Sequence, residues 1–262
     1  MYTLLTERNI LDVMRSSMGV ATLVCICLLS GCAGHGRTGN LGIEEVHLPS
    51  QESSALYGET VAGIGEVLLI EDEVLASQLE EWQCVNSDVC AMLRITDLNI
   101  CEPVVEATVD NKQWLRTNIY GEEDVAGVVF LDYRCDVPGT LVKLVHGHNM
   151  KDGTMFAAIP DLLFLESCQD APLIELYYGT GSAVYEVFSV VSVDATKEAL
   201  PIDIMANSNE VSLMLNDLRE RSIVPGGVLH SVDVVVLNTC WYGESGTERN
   251  LHCIVAASRV VR

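Results

Sequence analysis

Val232-Asp233-Val234-Val235-Val236-Leu237-Asn238-Thr239-Cys240 is the stretch that decides the architecture. It is short, dominated by β-branched residues and almost free of charge, which is the composition of a buried strand rather than a helix. Similar runs occupy residues 128–133, 141–146, 173–178, 183–193 and 251–261. Gly179-Thr180-Gly181 separates two of them and reads as a hairpin turn. Two helices are expected beside these strands. Leu75, Leu79 and Trp82 form one apolar stripe over residues 71–83. Val211, Met214, Leu215 and Leu218 form another over residues 208–221, with Asn207 or Ser208 available as N-cap. The pattern predicts a mainly β domain, a sandwich or barrel, with peripheral helices.

The rest of the 262-residue chain bounds this domain. Its hydrophobic content of 49% and charged content of 20% are those of a globular protein. The formal charge of −22 argues against a nucleic-acid partner, which needs a basic face. Residues 18–33 are almost wholly apolar and end in Leu29-Ser30-Gly31-Cys32. The run is short for a membrane span and suits the hydrophobic region of a signal peptide. Its last four residues resemble the lipobox of bacterial lipoproteins, in which the cysteine is acylated. Arg15 supplies the positive flank, while Glu7 and Asp12 fit it poorly, so translation starts at Met1 or Met14. An uncleaved anchor helix is the alternative. The expected organisation is a lipoprotein-type signal peptide over 1–32, a Gly-rich polar tether over 33–70 and the strand-rich domain over 71–262. The domain would lie on the extracytoplasmic face of the membrane, held by a lipid on Cys32 or by an N-terminal helix.

Beyond the signal there are seven cysteines: Cys84, Cys90, Cys101, Cys135, Cys168, Cys240 and Cys253. An odd count flags one reactive thiol, leaving six for disulfides of unknown connectivity or for free buried thiols. Cys240 is the candidate nucleophile because it closes an apolar strand, a rigid place from which to aim a thiol. An unassisted thiol is mostly protonated at neutral pH and needs a base or cation nearby. His148, in His146-Gly147-His148-Asn149-Met150, follows a strand end and can serve. Arg249 begins the strand after Cys240 and, if the two strands pair, points back at it; a guanidinium stays charged and can hold an oxyanion. His146 and His148, two apart on a strand, share a face, but no second ligand pair has metal spacing and no CxxC occurs, so no metal or cofactor is expected.

Taken together these residues resemble the class B sortases, cysteine transpeptidases of Gram-positive bacteria. Gly147-His148-Asn149-Met150-Lys151-Asp152-Gly153-Thr154-Met155-Phe156 is similar to the family's histidine motif, Leu237-Asn238-Thr239-Cys240 to its Leu-Ser-Thr-Cys motif, and Arg249 falls where the family's arginine does. Upstream, Asn86-Ser87-Asp88-Val89, Asn99-Ile100, Pro103-Val104-Val105, Asp110-Asn111 and Gly127-Val128-Val129-Phe130-Leu131-Asp132-Tyr133 follow the family pattern in order. The resemblance implies a closed eight-stranded β-barrel with N-terminal helices and one helix inserted between late strands. It implies that Cys240 attacks a sorting-signal peptide carbonyl to form a thioacyl enzyme, that His148 moves the amine protons, and that Arg249 stabilises the oxyanion. The partners implied are surface proteins carrying a C-terminal sorting signal, and an amine of a peptidoglycan precursor or a pilin.

This chain departs from the family at His146, where an aromatic or small residue is usual, and at Asn238, where serine is common. Both are expected in the substrate pocket with Thr239, and Asn111 near it. Met92 stands where tryptophan is frequent. Two other readings are weaker. An L,D-transpeptidase would carry Ser-His-Gly-Cys, which is absent. A lipoprotein using the barrel only as a binding module would not need Cys240, His148 and Arg249 together.

Overall fold

The computed structural model describes residues 69–70, 72–137, 139–179, 181–204 and 208–260. The expected signal peptide, Cys32 and nearly all of the tether lie outside the described residues, as does Asn207, one of the two expected caps.

Eight strands close into a ring: β2 (Val89–Ile95), β3 (Ile100–Glu106), β4 (Phe130–Leu131), β5 (Val142–His146), β6 (Ile174–Tyr177), β7 (Ser182–Asp194), β8 (Val234–Trp241) and β9 (Leu251–Arg259). A ninth, β1 (Leu69–Ile70), adds at the edge of β7. The ring order is β7-β6-β2-β3-β4-β5-β8-β9, and β9 returns to β7 to close it. Closure leaves these eight strands without an unpaired edge. The pairs β3–β4 and β5–β8 are parallel and the other ring pairs antiparallel. The closed eight-stranded barrel of the sequence reading is therefore what the chain forms.

Helix α1 (Glu73–Val85) starts on Asp72, whose carboxylate accepts from the amides of Val74 and Leu75 at 3.0 Å each. The capping satisfies amides that have no partner inside the helix. Arg94 of β2 donates to both Asp72 and Glu175, tying the helix start to two strands. Leu75 and Leu79 are buried against Val89, Met92, Val105 and Tyr177, with Trp82 at the margin. Helix α2 (Ser208–Glu220) lies between β7 and β8 in the chain and buries Val211, Leu215 and Leu218. The Ser189 hydroxyl donates to the Leu218 carbonyl at 2.6 Å, joining α2 to β7. The hairpin turn falls where expected, with Gly179 (φ 85°) and Gly181 (φ 132°) in conformations other residues rarely adopt.

Two expectations shift. The run 128–133 pairs as a strand only at Phe130–Leu131; the Asp132 amide still donates to the Leu144 carbonyl at 2.8 Å, and the Asp132 carbonyl then accepts from the Cys135 amide at 2.8 Å as the chain turns. Strands β2 and β3, an antiparallel hairpin, add to the six strands expected.

Candidate active site

The register of four strands builds the site. Phe130 of β4 pairs with His146 of β5, His146 with Asn238 of β8, and Cys240 of β8 with His252 of β9. Paired residues share a face, and so do residues two apart on one strand. Phe130, His146, Asn238, Cys240 and His252 thus present on one face of the sheet. They line a cleft of about 80 Å³ with Leu115, Gly147, His148 and Thr239.

The histidine loop leaves β5 at Gly147, whose amide donates to the Asn238 carbonyl at 3.2 Å. A Cβ on Gly147 would sit 2.6 Å from the buried Phe156 ring, so only glycine lets the loop lie flat there. The Phe156 amide donates to the His148 carbonyl at 2.9 Å, and the Asn149 amide side chain donates to the Cys240 carbonyl at 3.0 Å. The loop is thereby fixed both to its own return and to the strand that carries the thiol. His148 Nε2–H donates to the Leu115 carbonyl at 2.9 Å, which leaves Nδ1 available for chemistry.

Cys240 is half-buried, and burial pushes its thiol above the ordinary value. The seven cysteines of the described residues are all free thiols. Burial also pushes Cys90 and Cys253 up to about 12 and Cys135 up to about 11, so none of these three is a competing nucleophile. Cys84 and Cys101 are exposed and line no part of the cleft.

Beneath the cleft runs a chain of polar groups. Asp132 is fully buried, which alone would favour its neutral form. Bonds from Arg134, His146 and Asn111 outweigh that and hold its carboxyl well below the usual carboxylate range. Arg134 grips it in a fork, Nε to Oδ1 at 2.8 Å and Nη2 to Oδ2 at 2.9 Å. Asn111 Nδ2 donates to Oδ2 at 2.6 Å. His146 Nε2–H donates to the same oxygen at 3.2 Å, and its ring stacks on Phe130 with centroids 5.0 Å apart. With that proton on Nε2, His146 Nδ1 accepts from Asn238 Nδ2 at 2.9 Å. Asn238 Oδ1 then accepts from His252 Nδ1–H at 2.9 Å. Burial, and then the neighbouring His146, push His252 below the ordinary imidazole value, so its resting form is neutral.

The expected residues separate accordingly. Cys240, His148, His146, Asn238 and Thr239 come together at the cleft. Asn111 does not line it; the residue is spent on Asp132 and on the Tyr133 amide. Arg249 does not line it either. It is exposed in the loop before β9, with its guanidinium over the Tyr242 ring at 5.2 Å. Strand β9 begins at Leu251, and the residue opposite Cys240 is His252, which sequence reasoning missed. Among the described residues no cluster of His, Cys, Asp and Glu could hold a metal ion, and no helix is long and apolar enough to cross a membrane.

Known proteins share this arrangement of strands. The sortase B of Listeria monocytogenes serovar 1/2a is 29% identical over 168 residues, which are 62% of this chain and 67% of that protein. The chain is similar to the class B sortases in sequence and in fold. A Bacillus anthracis structure described as similar to sortase B is 25% identical, with a TM-score of 0.61, covering 76% of this chain and 90% of that one. The Staphylococcus aureus sortase B–substrate complex shares the fold at 22% identity and a TM-score of 0.61, covering 71% and 86%. No protein-family model matches the chain.

Proposed function

We propose that this sortase-like protein is a cysteine transpeptidase that acts on a sorting-signal peptide through a thioacyl intermediate on Cys240. The observation that carries the proposal is that Cys240 and His148, 92 residues apart in sequence, line the same cleft. The Cys240 thiol attacks the peptide carbonyl: the S–C bond forms as the S–H proton passes to an imidazole that lines the cleft. The C–N bond then breaks, and the departing amine takes a proton from His148, which enters the step as imidazolium. An incoming amine, from a peptidoglycan precursor or a pilin, attacks the thioester and returns a proton to His148. His146, Asn238 and Thr239 line the substrate side of the nucleophile. The covalent step asks nothing of a metal or cofactor, because thiol addition and amine departure are both proton-coupled.

We further propose that the enzyme acts on the extracytoplasmic face of the membrane, anchored by a lipid on Cys32. Release of the protein into the soluble fraction by Cys32→Ser supports the anchor, and unchanged membrane association overturns it.

The test of the activity uses the 71–262 chain with a sorting-signal peptide library and an amine acceptor, read by intact mass. A thioacyl adduct on the wild type that vanishes in Cys240→Ala supports the reading. The absence of any adduct favours a non-catalytic binding module, a reading to which the position of Arg249 outside the cleft lends weight.

A further inference from the structure

We infer that His252 is the proton partner and oxyanion ligand of Cys240, standing in the place where the sortase resemblance implies a guanidinium. The inference rests on Cys240 being the nucleophile.

Register is the first support. His252 is the direct cross-strand partner of Cys240 and lines the same cleft, whereas Arg249 is three residues earlier, exposed and stacked on Tyr242. The second is the chain of hydrogen bonds. Asp132, His146, Asn238 and His252 are joined in series, and each donor points toward the carboxylate. This direction leaves one tautomer for each ring. His146 carries its proton on Nε2, and His252 carries its proton on Nδ1. The lone pair of His252 is therefore on Nε2, which takes no hydrogen bond among the described residues. The titratable groups around His252 are Cys240 on β8, His146 on β5 and His148 beyond the end of β5. On its other side, β7 presents Val193.

A permanently charged guanidinium donates and never accepts. A neutral imidazole with a free Nε2 first accepts. As Cys240 attacks, its S–H proton passes to His252 Nε2, the S–C bond forms, and the carbonyl π electrons move to oxygen. The new Nε2–H then faces the oxyanion and donates to it. The imidazolium is stabilised from behind, because Nδ1–H leans on Asn238 Oδ1 and each further dipole leans on Asp132. When the tetrahedral adduct collapses, the amine departs with a proton from His148. In the second half the incoming amine returns that proton to His148, and the leaving sulfur takes its own back from His252. Each histidine ends as it began. The relay also accounts for the two departures noted at the cleft: His146 and Asn238 are the links that a histidine opposite the cysteine requires.

The test compares wild type with His252→Ala, His252→Asn, Asn238→Leu and Arg249→Ala, each checked for cooperative thermal unfolding. Two readouts are taken: thioacyl formation with the sorting-signal peptide, and the rate of Cys240 alkylation by iodoacetamide across roughly pH 5 to 9. Peptide mapping by mass separates Cys240 from the exposed Cys84 and Cys101. His252→Ala and His252→Asn each lower thioacyl formation by about 100-fold or more and change the alkylation profile. Asn238→Leu moves the histidine limb of that profile to lower pH, since the imidazolium loses its acceptor. A smaller loss in Arg249→Ala than in His252→Ala is expected, and the reverse order overturns the assignment. So does an alkylation profile in folded His252→Asn that superimposes on the wild type. An altered profile with no peptide adduct on the wild type upholds the Cys240–His252 pair and sinks the transpeptidase reading instead.

Discussion

Strands β5 and β8 lie side by side and carry a buried ionic cluster at each end, and the two clusters are built for different ends. At the start of the pair, Lys143 Nζ donates to Asp233 at 2.7 Å and to the Thr140 carbonyl at 2.7 Å. Arg259 approaches the other Asp233 oxygen at 3.1 Å, and the Tyr185 hydroxyl donates to the first at 3.4 Å. Burial and then the Asp233 charge push the Tyr185 phenol far up, so it stays a neutral donor. No part of this cluster lines the cleft. At the far end, Asp132 is held as firmly by Arg134 and Asn111, but the chain continues through His146 and Asn238 to a ring nitrogen beside Cys240. The first cluster closes on itself and serves the fold. The second passes from a fixed charge to an open base, the form expected of groups that must change protonation during a reaction.

That contrast predicts how the two ends fail. The largest effect is on chemistry alone: Cys240→Ala removes all thioacyl formation in the mass assay and leaves the unfolding midpoint near that of the wild type. Lys143→Met breaks the closed cluster. It lowers stability by about 3 kcal/mol in a denaturant titration, since Lys143 is 1% exposed and its loss strands part of the Asp233 charge. Cys240 alkylation in the folded variant is unchanged. Asp132→Asn acts on both counts. Stability falls by about 2 kcal/mol, less than at Lys143 because Arg134 can turn to water, and thioacyl formation falls about tenfold because the foot of the relay is lost. The same substitution changes the response to acid. The native pKa of Asp132 lies below its unfolded value, so its contribution is whole above about pH 4 and drains away as the pH falls further. Asp132→Asn therefore flattens the decline of stability below about pH 4. The smallest effect is at the rim, where Tyr242→Leu removes the ring under Arg249 and changes stability by less than about 1 kcal/mol.

Much of this was legible in the residues because each legible part is local. The stripe Leu75, Leu79 and Trp82 lies on one turn-spaced face, and β7, β8 and β9 are runs that few other conformations would tolerate. Strand β2, Val-Cys-Ala-Met-Leu-Arg-Ile, was not, since it is buried almost continuously and mixes strand with helix formers. Strand β3 was masked by Pro103, which ordinarily argues against a central strand. At the site, Cys240 and His148 could be read from their motifs. His252 could not, because the residue facing Cys240 is set by the path of the intervening loop. That loop turns at Gly243 and Gly246 in left-handed conformations and bonds Glu248 back to Tyr242, which consumes the positions up to Arg249 before pairing resumes. A slip of one residue would have faced another side chain toward the nucleophile. Asn111 was recognised as polar near the site, but its bond to Asp132 joins positions 21 apart and leaves no local trace.

The return of β9 to β7 has a kinetic consequence. Strand β9 is wedged between β8 and β7, and its pairing with β7 joins segments some sixty residues apart, such as Val193 and His252. Contacts across so much chain form slowly, because the loop between them must be closed before they are rewarded. The strand that completes the ring is also the one that sets His252 against Cys240. Ring closure and arming of the thiol are thus a single event, and a molecule caught before it holds a cysteine without its base. Delayed appearance of histidine-assisted Cys240 alkylation during refolding, in step with the last change in near-ultraviolet dichroism, would reveal that coupling.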